Sequence, residues 1–110
     1  MRTEFAPSRP VSIFIAGDYD KACGICLGYC DEVGLCVTVT RTIYVYTGGA
    51  ESGVIVGLIN YPRFPSEQAL IEAKAIELGH RLREDLGQES FSVQTPTTTT
   101  WFSFRAEDRA

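Results

Sequence analysis

The stretch from Leu35 to Thr47 constrains the fold more than any other part of this 110-residue chain. Valine and isoleucine alternate there with threonine and tyrosine, and this period of two is typical of a β-strand with two different faces. The glycine-rich segment GGAESG follows and leads into a second apolar run over residues 54–61. Because glycine-rich turns commonly join antiparallel strands, the pattern predicts a β-hairpin.

The rest of the chain predicts two helices and two further strands. An apolar run that ends at Gly17 predicts the first strand. Asp18 or Asp20 can cap the helix that follows it, and Ser66 can cap the second helix. The predicted elements are a strand at 11–17, a helix from about 18 to 32, a helix from about 66 to 86, and a strand from 91 that resumes or pairs back at 101–105.

The element order β-α-β-β-α-β predicts an α+β fold of the ferredoxin-like type. Right-handed crossovers would place both helices on one face of a four-stranded antiparallel sheet with strand order 4-1-3-2. We expect residues 1–10 to be a flexible arm, residues 11–105 a single domain and residues 106–110 a loose tail. The uncovered sheet face would carry Phe14, Thr38, Thr40, Thr42, Tyr44 and Tyr46. Since such a face rarely stays exposed in a monomer, we expect a ligand or a homo-oligomer, at least a dimer.

Composition excludes several classes of protein. The net charge of −4 argues against a nucleic-acid partner, because such partners require a basic surface. The apolar runs are too short to cross a membrane. The first ten residues lack the apolar core of a signal peptide, which predicts a cytoplasmic protein.

Four cysteines, Cys23, Cys26, Cys30 and Cys36, lie close together in the sequence. The CxxC spacing is compatible with a zinc or iron–sulfur site. The first three also follow one helix face, where buried thiols pack as small apolar side chains. Neither a second CxxC motif nor a nearby histidine completes a metal site. We therefore expect no metal and no cofactor, and the sequence leaves open whether these cysteines ever bind one.

The segment NYPRFP at 60–65 is a candidate binding loop, since its two prolines restrict the backbone. The amide of Asn60 can pair with a base or anchor the loop itself. Arg63 has the planar donor geometry that suits a phosphate, and Phe64 can stack on a ligand or pack on the second helix. A small polar ligand is the chemistry that this loop favours.

Catalytic residues are not indicated by any motif. His80 is the only histidine, and the sequence places neither a nucleophile nor an orienting carboxylate beside it. From this lack of an acid–base pair we expect that the protein is not an enzyme.

Three segments resemble blocks shared by small proteins of bacteriophages and prophages: GLCVTVT at 34–40, YVYTGGAESGVIVGLINYPRFP at 44–65 and VQTPTTTTWFS at 93–103. The similarity extends from the first strand to the last, and the group includes or lies close to the anti-Thoeris sponge proteins. Those proteins bind a cyclic ADP-ribose isomer made by a defence enzyme without cleaving it. The resemblance implies a phage-encoded, non-catalytic protein that sequesters a nucleotide-derived immune signal inside the bacterial host cell.

A ligand of this kind would need stacking rings, hydrogen-bonding groups and positive charge, and it would lie between protomers. The residues expected to bind it are Arg41, Tyr44, Tyr46, Asn60, Arg63, Phe64, Trp101 and Arg105. The alternative function is a protein–protein inhibitor or adaptor that blocks a host factor through its open sheet face.

Overall fold

The computed structural model describes residues 1–109, which form a five-stranded antiparallel sheet with two helices on one face. The elements are β1 Val11–Ala16, α1 Tyr19–Val33, β2 Thr38–Tyr46, β3 Gly49–Leu58, α2 Gln68–Leu86, β4 Ser90–Gln94, β5 Thr99–Ser103 and a 3-10 helix Ala106–Asp108. The strand order is β2-β3-β1-β4-β5. The α+β class and the relative order of the first four strands are confirmed, whereas the predicted count of four strands is wrong.

The additional strand is the result of a closed turn at Pro96. The hydroxyl oxygen of Thr95 accepts hydrogen bonds from the backbone N–H groups of Thr97 and Thr98 at 3.3 and 3.1 Å. This turn brings Gln94 opposite Thr99, and β5 then pairs along the whole of β4. The C-terminal segment therefore pairs back and widens the sheet.

The core lies between the sheet and the helices. It is built from alternate strand residues and one stripe of each helix: Val11, Ile13, Ile15, Ala22, Cys26, Tyr29, Val54, Val56, Leu58, Ile71, Ala75, Leu78, Leu82, Phe91 and Val93. Gly79 lies in the middle of α2, where a Cβ would come within 2.3 Å of the ring of Phe91. Glycine is therefore required there so that α2 can pack closely on β4.

The observed N-cap residues confirm the predicted cap of α1 and correct the predicted cap of α2. Asp18 caps α1, since its carboxylate accepts a hydrogen bond from the backbone N–H of Lys21 at 2.9 Å. The expected Ser66 cap of α2 is wrong, because Glu67 occupies the N-cap position and makes no side-chain capping bond. The backbone N–H of Ser66 instead donates to the side-chain oxygen of Asn60 at 2.8 Å.

The four cysteines differ in their environments, and all are free thiols. Cys26 is buried in the core, Cys23 and Cys30 are half-buried, and Cys36 is exposed. Burial raises the pKa of Cys26 to about 12, which disfavours the thiolate form that a metal needs. Within residues 1–109, no group of three or more histidine, cysteine, aspartate or glutamate side chains is arranged to hold a metal ion. The burial of Cys26 supports the packing interpretation for that residue.

Neither helix of the described chain has the combination of length and apolar character that a bilayer-spanning segment requires.

Candidate functional site

The sheet face opposite the helices is the open face, and the strand register places its side chains in rows. Phe14 on β1 pairs with Ile55 on β3 and with Ser92 on β4. Ser92 in turn pairs with Trp101 on β5. An aromatic residue near the centre of the sheet and another on its edge strand therefore share one row of the open face.

A cavity of about 620 Å³, the outer-face cavity, lies on this face. Its chemically important side chains come from four strands and from the segment after β5: Phe14, Tyr44, Tyr46, Glu51, Trp101 and Arg105. Its volume is within the range of small-molecule sites. The outer-face cavity therefore brings together Tyr44, Tyr46, Trp101 and Arg105 from the expected binding set.

Tyr46 and Glu51 form a hydrogen-bonded pair at one side of the outer-face cavity. The Tyr46 hydroxyl donates to Oε1 of Glu51 at 3.0 Å, and this hydrogen bond raises the pKa of Tyr46. Glu51 belongs to β3 because the hairpin turn consists of Thr47 and Gly48, and Gly48 has a positive φ of 92°. Tyr46 and Glu51 therefore lie on two adjacent, hydrogen-bonded strands, β2 and β3.

Tyr44 forms a rigid part of the same wall. A Cβ on Gly53 would lie 2.4 Å from a ring carbon of Tyr44, so glycine is needed for the ring to lie across β3. The Tyr44 hydroxyl donates to the carbonyl oxygen of Val54 at 2.6 Å, and burial raises the pKa of Tyr44. Because this hydroxyl is bonded to the backbone, Tyr44 offers a ligand its ring surface.

The opposite side of the outer-face cavity combines an indole ring with an ion pair. The guanidinium carbon of Arg105 lies 5.6 Å from the ring centroid of Trp101, and its Nε lies 4.0 Å from a carboxylate oxygen of Glu89. Trp101 is 54% exposed, which leaves ring surface for a ligand. Exposed ion pairs contribute little to stability, so Arg105 can exchange Glu89 for a ligand carboxylate at small cost.

The other expected residues lie elsewhere. Asn60 and Phe64 line a second cavity of about 480 Å³, the end cavity, between the end of α1 and the start of α2. Asn60 anchors loops there, because its amide nitrogen donates to the carbonyl oxygen of Pro7 at 2.9 Å. The guanidinium of Arg63 lies 5.4 Å from the ring centroid of Phe64. Arg41 lies on the helix side, 4.2 Å from the ring centroid of Tyr19.

Two carboxylates of the outer-face cavity are absent from the expected set. Glu51 sits in the glycine-rich segment that the sequence pattern assigns to a turn, but it pairs directly with Tyr44 in the sheet. Continuing the period of two from β3 back toward Gly49 could have identified it. No comparable sequence pattern identifies Glu89, because it meets Arg105 only after β5 folds back on β4.

The electrostatics of the outer-face cavity favour a particular type of ligand. Glu51 and Glu89 carry two negative charges against the single positive charge of Arg105. Trp101, Tyr44 and Phe14 supply aromatic surface, and aromatic faces attract cations. This arrangement suits a ligand that combines a flat base, a positive centre and a carboxylate.

Neither the family models nor the curated protein sequences contain a match to this chain. Solved structures do resemble it. A phage SAM lyase in the apo state aligns with a TM-score of 0.70 and 17% identity, over 86% of this chain and 88% of that chain. A phage SAM lyase in complex with S-methyl-5′-thioadenosine aligns with a TM-score of 0.63 and 17% identity, over 100% and 98% of the two chains. A de novo designed protein with a ferredoxin fold aligns at a TM-score of only 0.39, too low to support an argument.

At this level of identity the comparisons establish a shared fold. They confirm a resemblance to small phage proteins, one of which was solved with a nucleoside bound, and they do not confirm the sponge identity. The prediction that the chain is not an enzyme is wrong, because its fold is that of a phage lyase. That prediction depended on the lack of a recognisable nucleophile and base in the sequence, whereas the fold is one that also occurs in an enzyme.

Proposed function

We propose that this chain is an enzyme that cleaves S-adenosylmethionine and releases S-methyl-5′-thioadenosine. The observation that carries the proposal is the outer-face cavity, which joins aromatic rings, two carboxylates and one guanidinium. This cavity lies on the open face of a fold shared with a phage SAM lyase that was solved with S-methyl-5′-thioadenosine.

The charges of the outer-face cavity match this substrate. S-adenosylmethionine has a positively charged sulfur, a positive ammonium group and one carboxylate, and therefore a net positive charge. Glu51 and Glu89 supply the negative potential that attracts such a cation. The sulfonium is also attracted to the faces of aromatic rings such as Tyr44.

Each side of the outer-face cavity has a distinct role in this proposal. Trp101 stacks on the adenine, since flat bases bind aromatic side chains through their π faces. Arg105 releases Glu89 and binds the carboxylate of the substrate in a bidentate manner. Glu51, held by the Tyr46 hydroxyl, lies near the sulfonium as its counter-ion. The substrate is thereby held at its adenine, at its carboxylate and at its sulfonium.

The reaction that fits these groups breaks the bond between the sulfonium sulfur and the amino-acid carbon chain. The sulfur takes the bonding electron pair, loses its positive charge and leaves as the neutral thioether S-methyl-5′-thioadenosine. The leaving group needs no proton, so no general acid is required. A lyase adds no water, so the remaining fragment closes on its own carboxylate, whose oxygen forms a new bond to the chain carbon as the bond to sulfur breaks. The protein contributes by orienting the substrate, which alone can supply a large rate increase.

The cavity is less suited to the cyclic ADP-ribose isomer that the sequence resemblance implies. Both ligands contain an adenine and a ribose, which Trp101 and the tyrosines could bind equally. The pyrophosphate of a cyclic ADP-ribose isomer, however, would face Glu51 and Glu89 with Arg105 as the opposing charge. We therefore assign S-adenosylmethionine as the better ligand on electrostatic grounds.

Oligomerisation belongs to the same proposal. Trp101 and Tyr46 are 54% and 52% exposed, so a single copy leaves a bound substrate in contact with water. A second copy placed over the open face would bury these rings and the ligand together. We propose that the active form is a homo-oligomer, at least a dimer, which works in the cytoplasm of the bacterial host, where the substrate is found.

The test is incubation of the purified protein with S-adenosylmethionine, followed by mass spectrometry of the products over time. We expect S-methyl-5′-thioadenosine to accumulate, and to accumulate more slowly with Trp101→Ala and Arg105→Ala. Lys21→Ala is the matched control for Arg105→Ala, because it removes a positive charge from an exposed position on α1. Substrate that remains intact with folded wild-type protein would overturn the proposal. A cyclic ADP-ribose isomer that raises the melting temperature and is recovered intact would then indicate sequestration.

A further inference from the structure

The first six residues form an arm that extends from the domain with its apolar side chains in water. Met1 is 117% and Phe5 is 92% exposed. Among residues 1–109, the side-chain hydrogen bond made by the arm joins Arg2 to Glu4 at 2.8 Å, within the arm itself. Burying an exposed aromatic side chain is favourable, so an arm whose Phe5 is almost fully exposed gains from any apolar site that it can reach.

The arm starts from a fixed point. The carbonyl oxygen of Pro7 accepts a hydrogen bond from Asn60 at 2.9 Å, and Arg9 donates to the carbonyl oxygen of Ser66 at 2.6 Å. Asn60 and Ser66 both line the end cavity, so the arm leaves the domain at the rim of that cavity. Pro7 restricts the backbone at this attachment and Pro10 restricts it just before β1, which limits the directions in which the arm can leave the domain.

The end cavity is lined mostly by apolar side chains, in contrast to the charged outer-face cavity. Its lining includes Leu35, Leu58, Ile59, Tyr61, Phe64 and Leu70. Three of these side chains are markedly exposed: Ile59 at 52%, Phe64 at 74% and Leu70 at 48%. A cavity of about 480 Å³ that is open at such residues has room for an aromatic side chain.

We propose that copies of this chain exchange their arms, so that Phe5 of one copy enters the end cavity of another. Every copy carries one exposed arm and one exposed apolar cavity, so the two match in number without any other partner. Phe5 lies two residues before the fixed Pro7 and reaches about 7 Å beyond it when extended, which is enough for exchange where the end cavities of two copies face each other. The exchange would bury Phe5 and cover Ile59, Phe64 and Leu70 in a single contact. This interface is distinct from the outer-face cavity and does not depend on the proposed reaction.

A native cysteine makes the proposal directly testable. Cys36 lines the end cavity and its thiol is free. In a Phe5→Cys variant, an added oxidant such as diamide would take two electrons and two protons from the two thiols and join them as a disulfide. We expect a covalent oligomer on a non-reducing gel that disappears on addition of a reductant. The double variant Phe5→Cys with Cys36→Ser, and a single Lys21→Cys variant on the helix surface, are the controls and should not form it.

Two results would overturn arm exchange. One is a disulfide between residues 5 and 36 within a single chain, seen as an uncrosslinked mass with a modified peptide map, because the arm would then fill its own cavity. The other is crosslinking that persists when Cys36 is replaced.

A second measurement uses the protein without crosslinking. Sedimentation of Phe5→Ala should show at least about a tenfold weaker self-association, equivalent to 1.4 kcal/mol, whereas Phe5→Leu should retain most of it. The helical content of both variants should match that of the wild type, because Phe5 is exposed within its own chain. Unchanged self-association of Phe5→Ala would contradict the proposal.

Discussion

The two faces of the sheet arise from the same alternation of residues, but they carry different chemistry. On the covered face, Ile13, Val54 and Val56 are completely buried against the helices. On the open face, Trp101 and Tyr46 are about half exposed, next to carboxylates and a guanidinium. Apolar side chains on the covered face therefore determine stability, while rings and charges on the open face are available to a ligand. Substitutions of adjacent residues on one strand should consequently affect stability in one case and ligand binding in the other.

The largest expected effect is on the covered face of β1. Ile13→Ala should lower the free energy of unfolding by about 2–5 kcal/mol, because it removes buried methyl groups and leaves a cavity. Phe14→Ala changes the next residue, which lies on the open face and lines the outer-face cavity, and should cost clearly less. Denaturant titration of both variants measures the difference. Equal losses would show that the two faces are not separable.

The next largest effect is on ligand binding at the edge of the open face. Trp101→Ala should weaken the binding of S-adenosylmethionine about tenfold to a hundredfold, since stacking of a base on an aromatic ring is worth about 1–3 kcal/mol. Trp101→Phe should retain much of the affinity. Calorimetric titration gives the dissociation constants, and thermal melting should show little change because about half of Trp101 is exposed. A variant that unfolds but binds normally per folded molecule would assign Trp101 to stability instead.

A smaller effect should distinguish charge from shape on the open face. Glu51→Gln keeps an oxygen that can accept the hydrogen bond from Tyr46 but removes the negative charge. Binding of the cationic substrate should weaken about tenfold, or 1.4 kcal/mol, while binding of neutral S-methyl-5′-thioadenosine stays unchanged. The ratio of the two dissociation constants is therefore the informative quantity. A parallel loss for both ligands would mean that Glu51 contacts the nucleoside half.

The sequence predicted the alternation of the two sheet faces better than the contacts that build the outer-face cavity, for a physical reason. The apolar period of residues such as Val54 and Val56 is visible in the chain itself, although the same period on β2 leaves Ile43 and Val45 58% and 79% exposed. The outer-face cavity depends on strand pairing between distant segments, which places Glu51 beside Tyr44 and Trp101 in the row of Phe14. Local patterns contain no record of such pairings. The sequence likewise left open whether residues 101–105 resume the fourth strand or pair back, since that pairing is set by a turn in which the backbone and side chain of Thr95 both bond Thr98.

The smallest expected effect concerns the solvent side of the helices that cover the sheet. Arg81 on α2 forms an ion pair with Glu32 on α1, and this hydrogen-bonded contact lowers the pKa of Glu32. Because the folded-state pKa is below the unfolded one, the ion pair stabilises the fold at neutral pH. Its contribution is lost as the pH falls through the folded pKa. Glu32→Gln should therefore lower the melting temperature only slightly at neutral pH and not at all in acid.

Melting curves of the wild type and Glu32→Gln across neutral and acidic buffers measure this convergence. Glu32 is more than half exposed, so water and salt screen the pair, and its effect should lie far below that of Ile13→Ala. A loss at neutral pH as large as that of Ile13→Ala would contradict the assignment of stability to the buried apolar face. A difference between the two curves that persists in acid would mean that Glu32 acts through packing, because protonation would already have removed its charge.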